Sequence, residues 1–154
     1  MSDRSALLNA YLSGGHALEE FVGPLSELQW ERRETAADWS VRQIVHHIAD
    51  VEVGDAMRLR QMLAHESPLI VAYDEGLFAA RLYYDRPTAA SLATFSALRA
   101  SNTAIIERIA ELDWTRSGRH EEHDQYTVEI LVRKSVQHDR LHLAQMQRAV
   151  ASGS

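Results

Sequence analysis

Histidines are the residues of this sequence whose number and spacing could do chemistry. The chain has 154 residues and 8 histidines. His138 and His142 are four positions apart, and on a helix such a pair shares one face. Imidazole nitrogens on one face can bind a divalent ion at about 2.0–2.1 Å, and three neutral imidazoles plus water form an open site of the catalytic kind. The pair therefore indicates part of a metal site that needs one ligand from elsewhere.

His47 is the natural third ligand, because it lies in another predicted helix at the border of that helix's apolar face. The neighbouring His46 falls on the opposite side, so we expect it to face solvent or a partner. Spacing alone leaves an alternative open. Pairs of histidines one turn apart also arise by chance, and a histidine at the border of a core is commonly a hydrogen-bonded core residue.

Composition excludes other classes of site. The chain has no cysteine, which excludes disulfides, thiolate metal sites and a cysteine nucleophile. Its net charge of −6 and its single lysine, Lys134, argue against a surface that binds nucleic acid. No apolar run approaches the roughly 20 residues that cross a membrane. We therefore expect a cytoplasmic protein with neither a nucleic-acid nor a membrane partner.

Four long helices are predicted to position the histidines, at about residues 5–21, 40–65, 89–112 and 128–150. Ser40 and Gln43 have the form of a capping box, and Thr127 is a plausible N-cap of the last helix. The glycines Gly14 and Gly15 weaken the middle of the first helix, where a kink is possible. Four amphipathic helices predict an all-α fold, a four-helix bundle.

The connections and ends complete the expected architecture. The longer crossing segment between the second and third helices, residues 68–87, carries a predicted short helix at residues 75–84. Residues 113–126 could form a loop or a short hairpin. We expect one domain over residues 1–154, with disordered ends at 1–4 and 151–154.

Several stretches match the pattern of one known family. Residues 39–50 begin with a Trp-Ser cap and lead to a His followed by an aliphatic residue, and residues 138–145 hold two His and a Gln. Residues 68–75 read Pro-x-x-x-x-Tyr-Asp-Glu, and residues 120–122 read His-Glu-Glu where a branch of the family has His-Pro-Glu. Over residues 5–150 the chain thus resembles the DinB/YfiT-like family of metal-binding four-helix bundles.

The resemblance implies that His47, His138 and His142 bind one zinc or nickel ion per chain, and that the protein is a homodimer. Members of the family include low-molecular-weight thiol S-transferases, maleylpyruvate isomerases that use a thiol cofactor, and proteins named as metal-dependent hydrolases. Our first interpretation is a thiol-dependent S-transferase that acts on a small-molecule substrate. The alternative is a hydrolase that uses metal-bound hydroxide, since such an ion lowers the pKa of bound water to about 7. A non-catalytic metal- or ligand-binding stress protein is the rival of another class.

A hydrolase also needs a general base beside the metal. The candidate carboxylates are Asp50, Glu52, Asp74, Glu75 and Glu121. For each of them a solvated surface carboxylate is the favoured interpretation. Gln145, one turn beyond His142, is a candidate hydrogen-bond partner of a ligand or a substrate contact. The loop histidines His120 and His123 could approach the site.

Overall fold

The computed structural model describes residues 3–120 and 126–152, in which four long helices form the bundle predicted from the sequence. The elements, in chain order, are α1 (Asp3–Val22), α2 (Glu27–Trp30), α3 (Val41–Ala64), β1 (Leu69–Ile70), α4 (Glu75–Arg81), α5 (Ala89–Ile106), a 3-10 helix (Glu111–Thr115), β2 (Ser117–His120), β3 (Tyr126–Thr127) and α6 (Val128–Ala151). Among these described elements, no helix is both long and apolar enough to cross a membrane.

Side-chain caps fix where the two histidine-bearing helices begin. The hydroxyl of Ser40 accepts a hydrogen bond from the Gln43 amide at 3.3 Å, and the Gln43 side chain accepts one from the Ser40 amide at 2.9 Å. The hydroxyl of Thr127 accepts from the Ile130 amide at 3.2 Å and caps α6. Both predicted caps are confirmed, and they set the positions of the histidines along α3 and α6.

The helices are not packed in the order in which they follow along the chain. α1 packs against α5 and α6, and α3 packs against the same two helices. The consecutive long helices α1 and α3 are therefore diagonal to each other, as are α5 and α6. This arrangement makes α3 and α6 direct neighbours, which brings His47 to the side of the bundle that carries His138 and His142.

The interior consists of two apolar clusters with a polar layer between them. One cluster includes Leu7, Leu59, Met62, Ile106, Trp114 and Val132. The other includes Leu18, Ile44, Ile48, Phe95 and Met146. Between them lie five buried side chains that we call the ionic layer: Tyr11, Glu52, Arg99, Asn102 and Asp139. The middle of the bundle is thus held by polar contacts rather than by apolar packing.

Two adjacent glycines let α1 approach the ionic layer. A Cβ atom at Gly14 would lie 2.8 Å from Oδ2 of Asp139, and one at Gly15 would lie 3.4 Å from Cγ of Arg99. α1 runs through both glycines from Asp3 to Val22. The lack of side chains at these positions therefore serves close packing, which explains why two poor helix formers stand in the middle of a helix.

A small sheet joins the two long connections. β1 pairs in parallel with β2, with Leu69 opposite Arg119, and β2 pairs antiparallel with β3, with Gly118 opposite Tyr126. Of the two alternatives for residues 113–126 the strand pair is the one found, although residues 121–125 lie outside the described part of the chain. The pairing with β1 was not predicted.

Two helix ends differ from the prediction. α5 ends at Ile106 instead of residue 112, because Asp113 accepts a hydrogen bond from the Ala110 amide and starts a separate 3-10 turn. α4 ends at Arg81 instead of residue 84, and Tyr83 has a left-handed backbone with φ of 54° that cannot continue a helix. Within the ends expected to be disordered, Asp3 and Ala151 belong to helices.

Candidate metal centre

Three histidine side chains converge where α3 meets α6. One ring nitrogen each from His47, His138 and His142 lies within 4.8 Å of the other two. The ring centroids are 4.9 Å apart for His47 and His138, and 4.3 Å apart for His138 and His142. His47 is buried and the other two are half-buried. The structure thus brings together the three ligands predicted from the sequence, at the edge of the core.

Burial keeps these imidazoles uncharged. It lowers the pKa of His47 and of His138 to about 3, and the neighbouring His142 adds to both shifts. Burial also lowers the pKa of His142, although a hydrogen bond to Gln145 opposes that shift. At neutral pH all three rings are therefore neutral, which is the form that binds metals.

Hydrogen bonds and packing orient the rings. Nδ1 of His142 lies 2.9 Å from the side-chain oxygen of Gln145, so Nδ1 donates and Nε2 keeps its lone pair. The Trp39 ring packs on His47 with centroids 4.8 Å apart. Gln145 therefore contacts a site histidine, which is one of the two roles proposed for it from the sequence.

The donor set fits a divalent transition metal. Nε2 of His47 and Nε2 of His138 are 2.9 Å apart, so a single proton can lie between two atoms that otherwise both present lone pairs. Three neutral nitrogens this close to one another are a set that zinc, nickel and related ions accept. That these residues bind metal stays a prediction, and the geometry is the one that such binding needs.

A cavity of about 420 Å³ opens beside His138. Its walls come from α3, from the two connections and from α6. The lining includes the polar side chains of Asp55, Arg58, Tyr73, Glu75, His120, Lys134 and His138. The volume suits a small molecule, and the histidine centre would lie at one side of that molecule.

Of the predicted carboxylates that the structure describes, Glu75 lies closest to the centre. Its Oε2 is 3.9 Å from Nε2 of His47, and its side chain is 52% exposed. Burial of the other half raises the pKa of Glu75. The adjacent Asp74 instead caps α4 by accepting a hydrogen bond from the Leu77 amide at 2.9 Å. Glu75 is thus the carboxylate with the geometry of a general base.

Asp50 and Glu52 have other partners. Asp50 accepts a hydrogen bond of 2.7 Å from the Tyr84 hydroxyl. The prediction of a surface carboxylate is wrong for Glu52, which is only 2% exposed. Oε2 of Glu52 accepts from Arg99 at 2.8 Å and Oε1 accepts from Tyr11 at 2.8 Å, so its charge is already satisfied within the ionic layer.

His46 does not face solvent, and that prediction is wrong. Its ring is fully buried, with Nδ1 2.8 Å from the Ser91 hydroxyl and Nε2 2.9 Å from the Arg86 carbonyl. The helical wheel placed His46 correctly on the side opposite to the centre. It could not show that α5 and the segment before it cover that side.

The other histidines separate into two groups. His120 lines the cavity, where its ring packs on Tyr126 at 4.8 Å. His16 and His65 are exposed. His123 and Glu121 lie outside the described residues. Among the described histidines other than the three predicted ligands, only His120 thus lines the cavity.

Sequence reasoning missed the ionic layer. Arg99 donates to Asp139 at 2.6 Å, to Glu52 at 2.8 Å and to the Tyr11 carbonyl at 2.9 Å. Asn102 donates to Glu52 at 2.8 Å. A signal was available, because Asp139 continues the apolar stripe of α6 at helical spacing and Arg99 interrupts that of α5. A charged residue in such a stripe needs a buried partner.

Comparisons with known proteins agree with this geometry. A family model described as the DinB superfamily matches residues 11–146. A protein of Bacillus licheniformis is 31% identical over 140 residues, which cover 86% of this chain and 76% of that protein. A protein of Oceanobacillus iheyensis is 27% identical over 137 residues, which cover 89% and 79%. Both are provisionally named as metal-dependent hydrolases.

The architecture also matches a solved structure. YfiT from Bacillus subtilis, described as having an unusual four-helix bundle topology, superposes with a TM-score of 0.87 at 23% identity. The match covers 96% of this chain and 86% of that chain. This likeness confirms the predicted four-helix bundle.

Proposed function

Since the chain belongs to the DinB superfamily, we propose that it is a metal-dependent hydrolase that acts on a small molecule through His47, His138 and His142. The convergence of three neutral imidazoles within 4.8 Å, with His138 at the wall of a cavity, carries this proposal. A divalent ion bound there would keep its full charge, polarise a substrate carbonyl and lower the pKa of bound water toward about 7.

The chain's own residues supply the rest of the chemistry. Oε2 of Glu75, 3.9 Å from the His47 ring, would accept the proton that the attacking water loses. The half-exposed position of Glu75 allows that proton to pass to solvent. Gln145 would hold His142 with Nε2 directed away from their hydrogen bond. Trp39 would keep water from the far side of His47.

The relatives support the hydrolase over the S-transferase that the sequence analysis placed first. The names of the relatives described above specify hydrolases, and none specifies a transferase. The same centre could activate the thiol of a small cofactor, because a coordinating thiol loses its proton. The activity experiment therefore includes a thiol arm. The expected homodimer and the choice between zinc and nickel also remain proposals.

Metal content per chain tests the centre. We expect plasma mass spectrometry of tag-free protein to find about one divalent ion per chain in the wild type and none after His142→Ala, since two imidazoles hold an ion far more weakly than three. His16→Ala is the matched control, because His16 is 74% exposed on α1 and pairs only with Glu19 in the described structure. A wild type without metal, and without uptake of added zinc or nickel, would overturn the proposal.

Hydrolysis of 4-nitrophenyl acetate by the metal-loaded protein tests the activity. We expect Glu75→Gln to lower kcat by about 100-fold, as for loss of a general base. Glu66→Gln, at an exposed position after α3, should leave kcat unchanged. Equal rates for the two variants would remove Glu75 from the mechanism. Transfer of cysteine or glutathione to 1-chloro-2,4-dinitrobenzene without ester hydrolysis would favour the S-transferase instead.

A further inference from the structure

The cavity beside the histidine centre is lined by two cationic side chains from different helices. Arg58 lies on α3 and Lys134 lies on α6. Lys134 is the only lysine of the chain. A cavity with aromatic walls and a few charged groups is the usual form of a site that recognises one polar end of a small ligand.

Arg58 is held rigidly at the cavity wall. Its guanidinium lies over the rings of Tyr73 and Tyr126, at 5.2 and 6.0 Å from their centroids. It donates to the Val71 carbonyl at 3.1 Å and makes a long contact of 3.4 Å with Asp55. Such stacking orients the planar guanidinium before a ligand arrives, which lowers the entropy lost on binding.

Lys134 is placed at a defined distance from the centre. It precedes His138 by four positions on α6, so it shares the face of His138 and lies about 6 Å away along the helix axis. Its Nζ is 5.4 Å from the centroid of the Tyr126 ring, the same ring over which Arg58 lies. Both cations thus neighbour the ring of Tyr126, and Lys134 lies one helical turn from His138.

The charges of the cavity favour an anion once the centre holds its ion. The carboxylates of Asp55 and Glu75 balance the charges of Arg58 and Lys134. Counted over the described lining residues, a divalent ion on three neutral imidazoles then adds a net positive charge. This local charge opposes the overall charge of the protein, which is −6.

We propose that the substrate of this protein carries an anionic group that Lys134 and Arg58 bind in the cavity beside the histidine centre. The proposal rests on the proposed function, because the reactive part of the site is the metal proposed at the histidine centre. A carboxylate and a phosphate share the chemistry that two cations recognise. Adipate, a flexible dicarboxylate small enough for a cavity of about 420 Å³, is the probe for the carboxylate case.

Binding of adipate to the metal-loaded protein tests this recognition without turnover. We expect Lys134→Met to raise the Kd of adipate about tenfold, as for loss of a charged hydrogen bond. Neutral adipamide should bind at least tenfold more weakly than adipate. Arg140→Met is the matched control, since it removes an exposed cation of α6 that does not line the cavity, and its Kd should stay within twofold.

Inorganic phosphate, measured by the same titration, distinguishes the two anions. Adipate binding that depends on Lys134 identifies a carboxylate, and phosphate binding that depends on Lys134 without adipate binding identifies a phosphate. Both results support the proposal. Equal binding of adipate and adipamide, or affinities for both anions that Lys134→Met leaves unchanged, would overturn it.

Turnover separates this inference from the proposed hydrolase. Hydrolysis of 4-nitrophenyl hydrogen adipate should exceed that of its methyl ester about tenfold in kcat/KM, and Lys134→Met should remove the difference through KM. Binding that depends on Lys134 without hydrolysis of either ester would refute the hydrolase and leave the anion site standing. Equal hydrolysis of both esters would support the hydrolase and refute the anion site.

Discussion

The histidine centre and the ionic layer are two clusters of titratable side chains that lie next to each other in this bundle. They differ in how buried charge is compensated. In the ionic layer Arg99 lies between Glu52 and Asp139, at 2.8 and 2.6 Å, so one buried guanidinium serves two buried carboxylates. In the histidine centre burial removes the charges, and three neutral ring nitrogens converge without a cation from the described residues.

The difference shows which cluster has its hydrogen bonds and charges satisfied by the protein alone. A buried ion pair whose hydrogen bonds are all made specifies how helices pack, although its net contribution to stability is small. Lone pairs that converge on one point repel each other, and a bound cation removes that cost. His138 and Asp139 are adjacent in the chain. On the same turn of α6, Asp139 therefore takes part in helix packing and His138 in the predicted metal site.

Removal of Arg99 should have the largest effect. Arg99→Met leaves Glu52 and Asp139 buried without a cation, and we expect the free energy of unfolding in urea to fall by about 3–5 kcal/mol. Arg108→Met is the control, because Arg108 is 76% exposed. This substitution should change the free energy of unfolding by less than about 0.5 kcal/mol. Equal effects would mean that the ionic layer does not hold the helices together.

Much of the histidine centre could be predicted from sequence, because its signals are local. The spacing of His138 and His142 and the caps at Ser40 and Thr127 each depend on residues within one turn. The ionic layer could not be predicted, because the stripe of α5 marks Arg99 as unusual without naming a partner on another helix. Its partners follow only from the diagonal packing.

Lowering the pH should destabilise the protein through the neutral histidines, by less than the removal of Arg99 does. Their pKa is lowered in the folded state, so the unfolded chain binds more protons below pH 6.5 and stability falls as the pH drops. For the metal-free protein we expect a loss of about 2 kcal/mol between pH 6.5 and pH 5 for each histidine with a pKa of about 3.

Urea unfolding at a series of pH values measures this dependence. His138→Gln should flatten it, because one of the buried imidazoles no longer titrates. His16→Gln should leave it as in the wild type, since His16 is exposed. If both variants kept the wild-type slope, the ring of His138 would be protonated in the folded protein and the contrast with the ionic layer would disappear.

The smallest effect concerns the approach of α1 to the ionic layer. Gly14→Ala would place a methyl group 2.8 Å from Oδ2 of Asp139, which Arg99 holds in place. We expect a loss of about 1–2 kcal/mol in thermal or urea unfolding, because the overlap outweighs the gain in helix propensity. Gly23→Ala is the control at the exposed end of α1, and an equal loss there would show that the ionic layer tolerates the methyl group.

The cavity itself was beyond prediction. Its walls depend on β1 and β2, which lie on two connections and pair in parallel. Sequence patterns within either connection, such as Tyr73 or His120, do not show that the two segments meet. The burial of His46 was missed for the same reason, since the covering residues Arg86 and Ser91 lie about 40 or more positions away.

The pairing of β1 with β2 also bears on the order in which the molecule assembles. Leu69 and Arg119 are about 50 positions apart, so their contact closes a long loop and forms slowly compared with the turns of a helix. The histidine centre closes a still longer loop, because His47 and His138 are 91 positions apart. The helices should therefore form before either contact, and neither the cavity wall nor the metal centre exists until distant parts of the chain have met.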